Sequence, residues 1–349
     1  MNKNFLYLVV LIVAVVLSAC SEESSNADKT SDDSNDAEIT IKLGHTGNDL
    51  EDDPYHHYTE KFSEVLEEES DGKIELEVFP NAQLGDLTSM MEQVDEGDLE
   101  MTAGQNSGTL ATYDPNIQVL DLPYAFDDLE VGQEVLEGEF GNKIKDGISE
   151  NSNLKIMSFL PSSFRHFGNN DGPITSPSDL EGKTVRTMEI PVYGEMVKAL
   201  GGSPQDIPFE ELYSAVQTGV VDAHEQAPYT LLMSKLEEVT DYFSLDKHTM
   251  NIAVTLTNEE FFYSLSEEDQ EIIEKADTEA RQALLDYVAD NAEQNIEDME
   301  EAGVEVNELT DEEFEKFQDV VIEPVTEYLE KTIDEGLVDE MLEDIDDKS

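Results

Sequence analysis

From Glu267 to Glu301 the chain keeps helical spacing, contains neither proline nor glycine, and meets its next glycine at Gly303. At 1.5 Å per residue that is roughly 50 Å of helix, longer than one small domain. A coiled coil is the competing expectation. It is disfavoured because Ile272, Ile273, Ala276, Ala280, Ala283, Leu284 and Tyr287 do not hold a strict seven-residue repeat. The chain has 349 residues. After a leader and a polar stretch its body is too long for one ordinary core and comfortable for two lobes.

Strand and helix alternate around this element. Ile39, Ile41 and Leu43 alternate as a strand, and a polar turn spans 45–54. Tyr58, Phe62, Val65 and Leu66 form a helical stripe stopped at Asp71-Gly72, and Ile74, Leu76 and Val78 alternate again. A helix over 87–95 leads to a strand at 99–102. The turn at 45–54 and the segment from Gly104 to Gly108 follow strands, so both are expected to face a cleft, with Gln105, Asn106 and Ser107 as candidates. An amphipathic stretch runs from Val131 to Ile148, and strands are expected at 154–160 and 252–256. In the block 179–228, Thr184 to Met188 reads as a strand and Val192 to Leu200 as a helix stopped by Gly201-Gly202. Pro208 starts a second helix through Phe209, Leu212, Tyr213 and Val216, and Val220-Val221-Asp222 reads as a strand. This is an open α/β pattern, whose ligands sit beyond the carboxyl ends of the strands.

Cation usage points to one position. Against 83 acidic residues the chain has 16 lysines and three arginines, Arg165, Arg186 and Arg281. A guanidinium holds a carboxylate through two parallel N–H···O bonds and keeps its charge when partly buried, which lysine does less well. Arg186, near a strand end, is therefore expected to clamp a carboxylate. The competing expectation is a pairing with an acidic neighbour, Glu189 or Glu225. Arg281, among Asp277, Glu279 and Asp286 on the long helix, reads as a surface ion pair.

The runs LEGKTVR at 180–186, ALGGSP at 199–204 and FEELYSAVQTGVVDAHE at 209–225 closely resemble the solute-binding proteins of TRAP (tripartite ATP-independent) transporters, of the dicarboxylate-binding DctP type. The resemblance implies an α/β, two-lobe periplasmic-binding-protein-like fold with the long helix bridging both lobes. Lobe I would hold 39–162 plus about 250–290, and lobe II 163–249 plus about 291–345. It implies that Arg186 pairs with the substrate carboxylate and that Arg165 assists. Gln226 stands where the family usually has asparagine, and Ala223 where glycine is usual. The substrate-binding set expected on this basis is Arg186, Arg165, Gln226, Glu225 and Tyr213, with Gln105 and Ser107 from the first lobe. The segment Leu120 to Phe126 resembles a family segment near the cleft. The implied function is capture of an organic acid such as a C4-dicarboxylate and its delivery to TRAP membrane permease subunits. A zwitterion such as ectoine or an amino acid on the same scaffold is the second reading, disfavoured by the lack of tryptophan. A surface adhesin is a third. The protein is expected to act as a monomer.

Residues 1–20 read as a lipoprotein signal peptide. Lys3 precedes an apolar run from Phe5 to Leu17, too short to span a bilayer. Leu17-Ser18-Ala19-Cys20 resembles a lipobox, so lipid attachment at Cys20 and anchoring on the extracytoplasmic face of the cell membrane are expected. Residues 21–38 carry almost no large apolar side chain and read as a disordered tether. The formal net charge of −64 excludes nucleic acid and anionic lipid as partners by repulsion, and suits a salty, halophilic exterior. No catalytic motif, metal-binding loop or cofactor loop is present, so no enzyme activity, metal or cofactor is expected. The six histidines look scattered.

Overall fold

The computed structural model describes residues 38–349. The signal segment, Cys20 and the tether up to residue 37 lie outside the described residues. The first part of the chain is β1 (Ile39–Gly44), α1 (Pro54–Glu69), β2 (Ile74–Phe79), α2 (Leu87–Glu96) and β3 (Met101–Asn106). Two 3-10 turns follow, then α3 (Leu129–Glu137), α4 (Glu139–Asn151) and the long β4 (Leu154–Asn169). The second part holds β5 (Thr184–Thr187), α5 (Pro191–Ala199), β6 (Ser203–Asp206), α6 (Phe209–Gln217), β7 (Ala223–Gln226) and α7 (Pro228–Met233). The chain returns through β8 (Tyr242–Asn258) to α8 (Glu259–Ser264), α9 (Glu267–Asp290), α10 (Ala292–Ala302) and β9 (Glu305–Glu308). It finishes with α11 (Asp311–Leu329) and α12 (Leu337–Lys348).

All the strands join one sheet in the order β2-β1-β3-β8-β4-β7-β5-β6, with β9 on β8. β1, β2 and β3 pair in parallel at one end, and β5, β6 and β7 do so at the other. Between them β4 and β8 pair antiparallel from Leu154↔Asn258 to Asn169↔Tyr242. Each of these two strands serves both ends of the sheet, which makes a two-lobe α/β fold with a double-stranded connection. The sequence reading stopped β4 at residue 160 and began β8 at 252. Both strands are buried on both faces over most of their length, so they lack the period-two alternation that marks a half-exposed strand. Three register shifts along the pair bend it further.

Other boundaries also moved. The stretch 131–148 is split at Gly138, whose backbone is extended. The strand expected at 220–222 lies at 223–226. The long helix is two helices broken at Asn291, whose side-chain amide donates to the Tyr287 carbonyl at 2.8 Å, a local bond that competes with helix continuation. The two pieces still serve different cores. Ile273, Ala276, Ala280 and Leu284 of α9 pack with Phe62, Leu66, Ile41 and Leu43, whereas Met299 of α10 packs with Leu212, Leu231 and Phe243. Arg281 does form an ion pair with an exposed carboxylate, but across elements rather than with its helix neighbours. Its Nε donates to the Phe159 carbonyl at 3.0 Å and its guanidinium meets Glu137 of α3. Among the described residues no helix is long and apolar enough to cross a membrane.

Candidate functional site

Loops leaving the carboxyl ends of both parallel strand sets face one another across a cavity of about 140 Å³. One wall comes from Thr46 after β1, Asp86 to Thr88 at the start of α2, and Gly104, Asn106 and Thr109 around the end of β3. The other comes from Met188 and Glu189 after β5, Ile207 to Glu210 after β6, Gln226 at the end of β7, and Tyr229 and Thr230 beyond it. Arg165 and Asn251 of the long connecting strands form the floor. Gly104 cannot be replaced cheaply. Its φ is +83°, and a Cβ there would meet the Tyr55 ring at 2.7 Å.

Arg186 sits next to the last residue of β5, between β6 and β7, and only 2% of it is exposed. Its Nε donates to the Ile207 carbonyl at 2.9 Å, while its Nη1 has no partner. Burial lowers its pKa to about 10, with Glu225 opposing that shift and Arg165 reinforcing it, so it carries a full charge at neutral pH. Gln226 of β7 also lines the cavity with a buried, unpartnered Nε2. Two cavity-lining side chains therefore each keep a buried donor without an acceptor, although buried polar groups are normally paired.

Arg165 has very different company. Its Nε donates to Glu225 Oε2 at 2.5 Å, its Nη2 to the Glu225 carbonyl at 2.9 Å and its Nη1 to Asn251 Oδ1 at 2.8 Å. Behind it the charges continue inward. Glu225 Oε2 lies 3.6 Å from His248 Nε2, and His248 Nδ1 lies 3.0 Å from Asp246 Oδ1. Asp246 also accepts from the Tyr124 hydroxyl at 3.1 Å. Burial alone would raise the pKa of Glu225, but Arg165 and His248 outweigh it and hold the carboxyl at about 2. The histidines are therefore not all scattered. His166 and His248 converge on Asp246, joined by the β4–β8 register that a linear reading cannot see.

Of the residues expected from the sequence, Arg186, Arg165 and Gln226 line the cavity together. Glu225 lies one layer beneath them, fully buried against Arg165. Gln105 and Ser107 are buried in and just beyond β3, off the lining. Gln105 Nε2 donates to Thr102 Oγ1 at 3.1 Å, and Ser107 Oγ has no partner. Alternation along the strand puts Gly104 and Asn106 on the cleft side instead. Tyr213 lies outside the cavity, its hydroxyl donating to Glu238 at 2.9 Å. The segment 120–126 lies behind the cleft. There Asp121 accepts from the Tyr193 hydroxyl at 3.3 Å, and burial raises its pKa to about 7. Tyr55, Phe209, Tyr229, Asn251 and Glu210 line the cavity without any signal in the sequence that set them apart, and Glu189, named only as a possible partner of Arg186, lines it too. No group of three or more His, Cys, Asp or Glu side chains among the described residues could hold a metal ion.

A cleft at the carboxyl ends of two parallel strand sets, floored by two connecting strands, defines a two-lobe solute-binding protein. The chain belongs to the bacterial extracellular solute-binding protein family 7, DctP, whose family model matches residues 44–332. It is 30% identical over 286 residues to the 2,3-diketo-L-gulonate-binding periplasmic protein YiaO of Escherichia coli, covering 81% of this chain and 85% of that one. The sugar acid binding protein DctPAm of Advenella mimigardefordensis, in complex with galactonate, is similar with a TM-score of 0.84 and 28% identity, covering 90% of this chain and 99% of that one. A TRAP periplasmic solute binding protein of Sulfurospirillum deleyianum with bound succinate gives a TM-score of 0.80 and 27% identity, covering 87% and 98%. The family is one of extracytoplasmic solute-binding components of transport, and the two solved structures hold organic acids, galactonate and succinate.

Proposed function

We propose that this protein captures one small organic acid in the cleft by clamping its carboxylate on Arg186, and hands it to the membrane permease subunits of a TRAP transporter. The observation that carries this reading is that Arg186 and Gln226 both line the cavity and each keeps a buried donor, Nη1 and Nε2, that no protein acceptor satisfies. Arg165 assists through the N–H groups that Glu225 and Asn251 leave free. The protein acts as a monomeric carrier without catalysis or cofactor. Cys20 carries a lipid anchor, so Cys20→Ala releases it from the membrane fraction; a variant that stays lipid-labelled and membrane-bound at unchanged size argues against the anchor.

The ligands of relatives run from succinate to galactonate and 2,3-diketo-L-gulonate, so a C4-dicarboxylate is one member of the class to test. A zwitterion is the second reading, and one observation favours it more than the sequence did. The chain lacks tryptophan, yet Tyr55, Phe209 and Tyr229 still give the cleft aromatic walls. A calorimetric screen of carboxylates followed by substitution tests the clamp. Arg186→Ala should cost about 2–5 kcal/mol of binding, roughly thirty- to several-thousand-fold, and Arg186→Lys should also weaken binding because the fork is lost. A folded Arg186→Ala protein that binds as tightly as wild type would refute it.

A further inference from the structure

We infer that the cleft selects a ligand with a single carboxylate and hydrogen-bond donors at its other end, and discriminates against dicarboxylates of the same length. This rests on the clamp reading above and narrows it. The argument is a count of charges around one cavity. Two cations line it, Arg165 and Arg186, and no lysine does. Arg165 is already matched, because its Nε sits on the buried Glu225 carboxylate at 2.5 Å. One buried cation with an unpartnered donor is left, Arg186. A single carboxylate completes it.

A second carboxylate on the same molecule would find no counter-charge. The remaining charged side chains of the lining are Asp86 at the start of α2, Glu189 just after β5 and Glu210 at the start of α6. They come from both walls, and all three are exposed. A dianion entering between them meets like charge from either side, a cost of about tenfold or more in affinity at surface-like dielectric. Carboxylates are hydrogen-bond acceptors, so the same rim favours hydroxyl or ammonium groups. Asp86 already accepts from the Ser89 amide at 2.7 Å and keeps further acceptor capacity.

Three four-carbon probes separate the possibilities: succinate, erythronate and γ-aminobutyrate. Calorimetry on the full folded chain at about 0.15 M salt, where the Debye length is ~8 Å, should show erythronate or γ-aminobutyrate binding at least about tenfold more tightly than succinate. Whichever of the two binds better names the tail as hydroxylated or cationic. Glu189→Gln combined with Glu210→Gln should narrow the gap, and so should molar salt, where the Debye length is ~3 Å. Succinate binding as tightly as the better of the other two overturns the inference. So does a gap untouched by both the double substitution and salt. Loss of binding in Arg186→Ala would keep the clamp standing in either case, so the two failures are distinguishable.

Discussion

Arg165 and Arg186 are buried to the same degree, each 2% exposed, and they line the same cavity, yet their surroundings are opposite. Arg165 lies where β4 and β8 connect the two lobes, and the protein supplies its counter-charge, its second-layer histidine and three of its hydrogen bonds. Arg186 lies at the end of β5 with one backbone carbonyl for a partner and one nitrogen left without any. A buried charge is normally paired because desolvation is costly. The charge of the first region is therefore balanced without a ligand, even though Arg165 keeps N–H groups to assist one, and that of the second is not. Residue type and burial alone do not distinguish a structural arginine from a binding one; the count of unsatisfied donors does.

The largest expected effect breaks the completed region. Arg165→Met leaves the Glu225 carboxylate buried without its cation and should cost about 3–5 kcal/mol of stability. The pH dependence has a definite sign. The Glu225 pKa in the fold is about 2, depressed from 4.5, so its stabilisation is fully present above the unfolded value and is lost as pH falls toward 2. The substitution should therefore hurt most at neutral pH and least in acid. Urea unfolding across that range checks it, and a neutral-pH loss below about 1 kcal/mol would mean the network is not what holds this region together.

Much of the second region was visible in the sequence, and little of the first was. Arginine is scarce in this chain, and Arg186 and Gln226 sit in short segments whose strand–helix punctuation, Gly182, Gly201 and Pro208, is local chemistry. The network behind Arg165 depends on pairings such as Arg165↔Thr249 and Phe167↔Glu225, across sequence separations that no local pattern encodes. Gln105 and Ser107 show the same limit at smaller scale. The segment was located, but a one-residue change of face decides that Asn106 and not Gln105 reaches the cavity. Tyr213 belongs to the family-like run, yet helix α6 turns its ring toward Glu238.

A middle-sized effect tests how far the completed region reaches. Asp121 stands behind Arg165, with burial raising its pKa from 3.8 to about 7, and with Tyr193 and Arg165 pulling it down while Glu225 pushes it up. A carboxyl that holds its proton more tightly in the fold than in the unfolded chain makes the fold less stable as pH rises from 3.8 toward 7. Asp121→Asn removes that penalty and can still accept from Tyr193. Relative to wild type, the variant should gain stability with rising pH across this window, on the order of 4 kcal/mol by pH 7. Thermal unfolding of both proteins at matched pH values gives the difference; a difference independent of pH would place Asp121 outside the electrostatics of the connection.

The smallest expected effect has the opposite sign to the first. Burial holds the Arg186 pKa down at about 10, so without a ligand the fold carries this cation at a cost, roughly 1.4 kcal/mol for each unit of depression. Its bond to the Ile207 carbonyl recovers part of that, about 1.5–3 kcal/mol for a charged donor. Arg186→Met keeps the length and removes both the charge and the unpartnered nitrogen. The ligand-free variant should then be as stable as wild type or more stable by about 1 kcal/mol, while the same change at Arg165 is strongly destabilising. Saturating ligand should reverse the ranking. Wild type gains about 2.7 kcal/mol at a hundredfold excess over Kd, and the variant, which no longer binds, gains nothing. Urea unfolding of both proteins with and without the ligand found by screening gives all four values. If the ligand-free Arg186→Met protein instead loses several kcal/mol, the fold depends on the Arg186 charge as it does on that of Arg165, and the distinction between the two regions collapses.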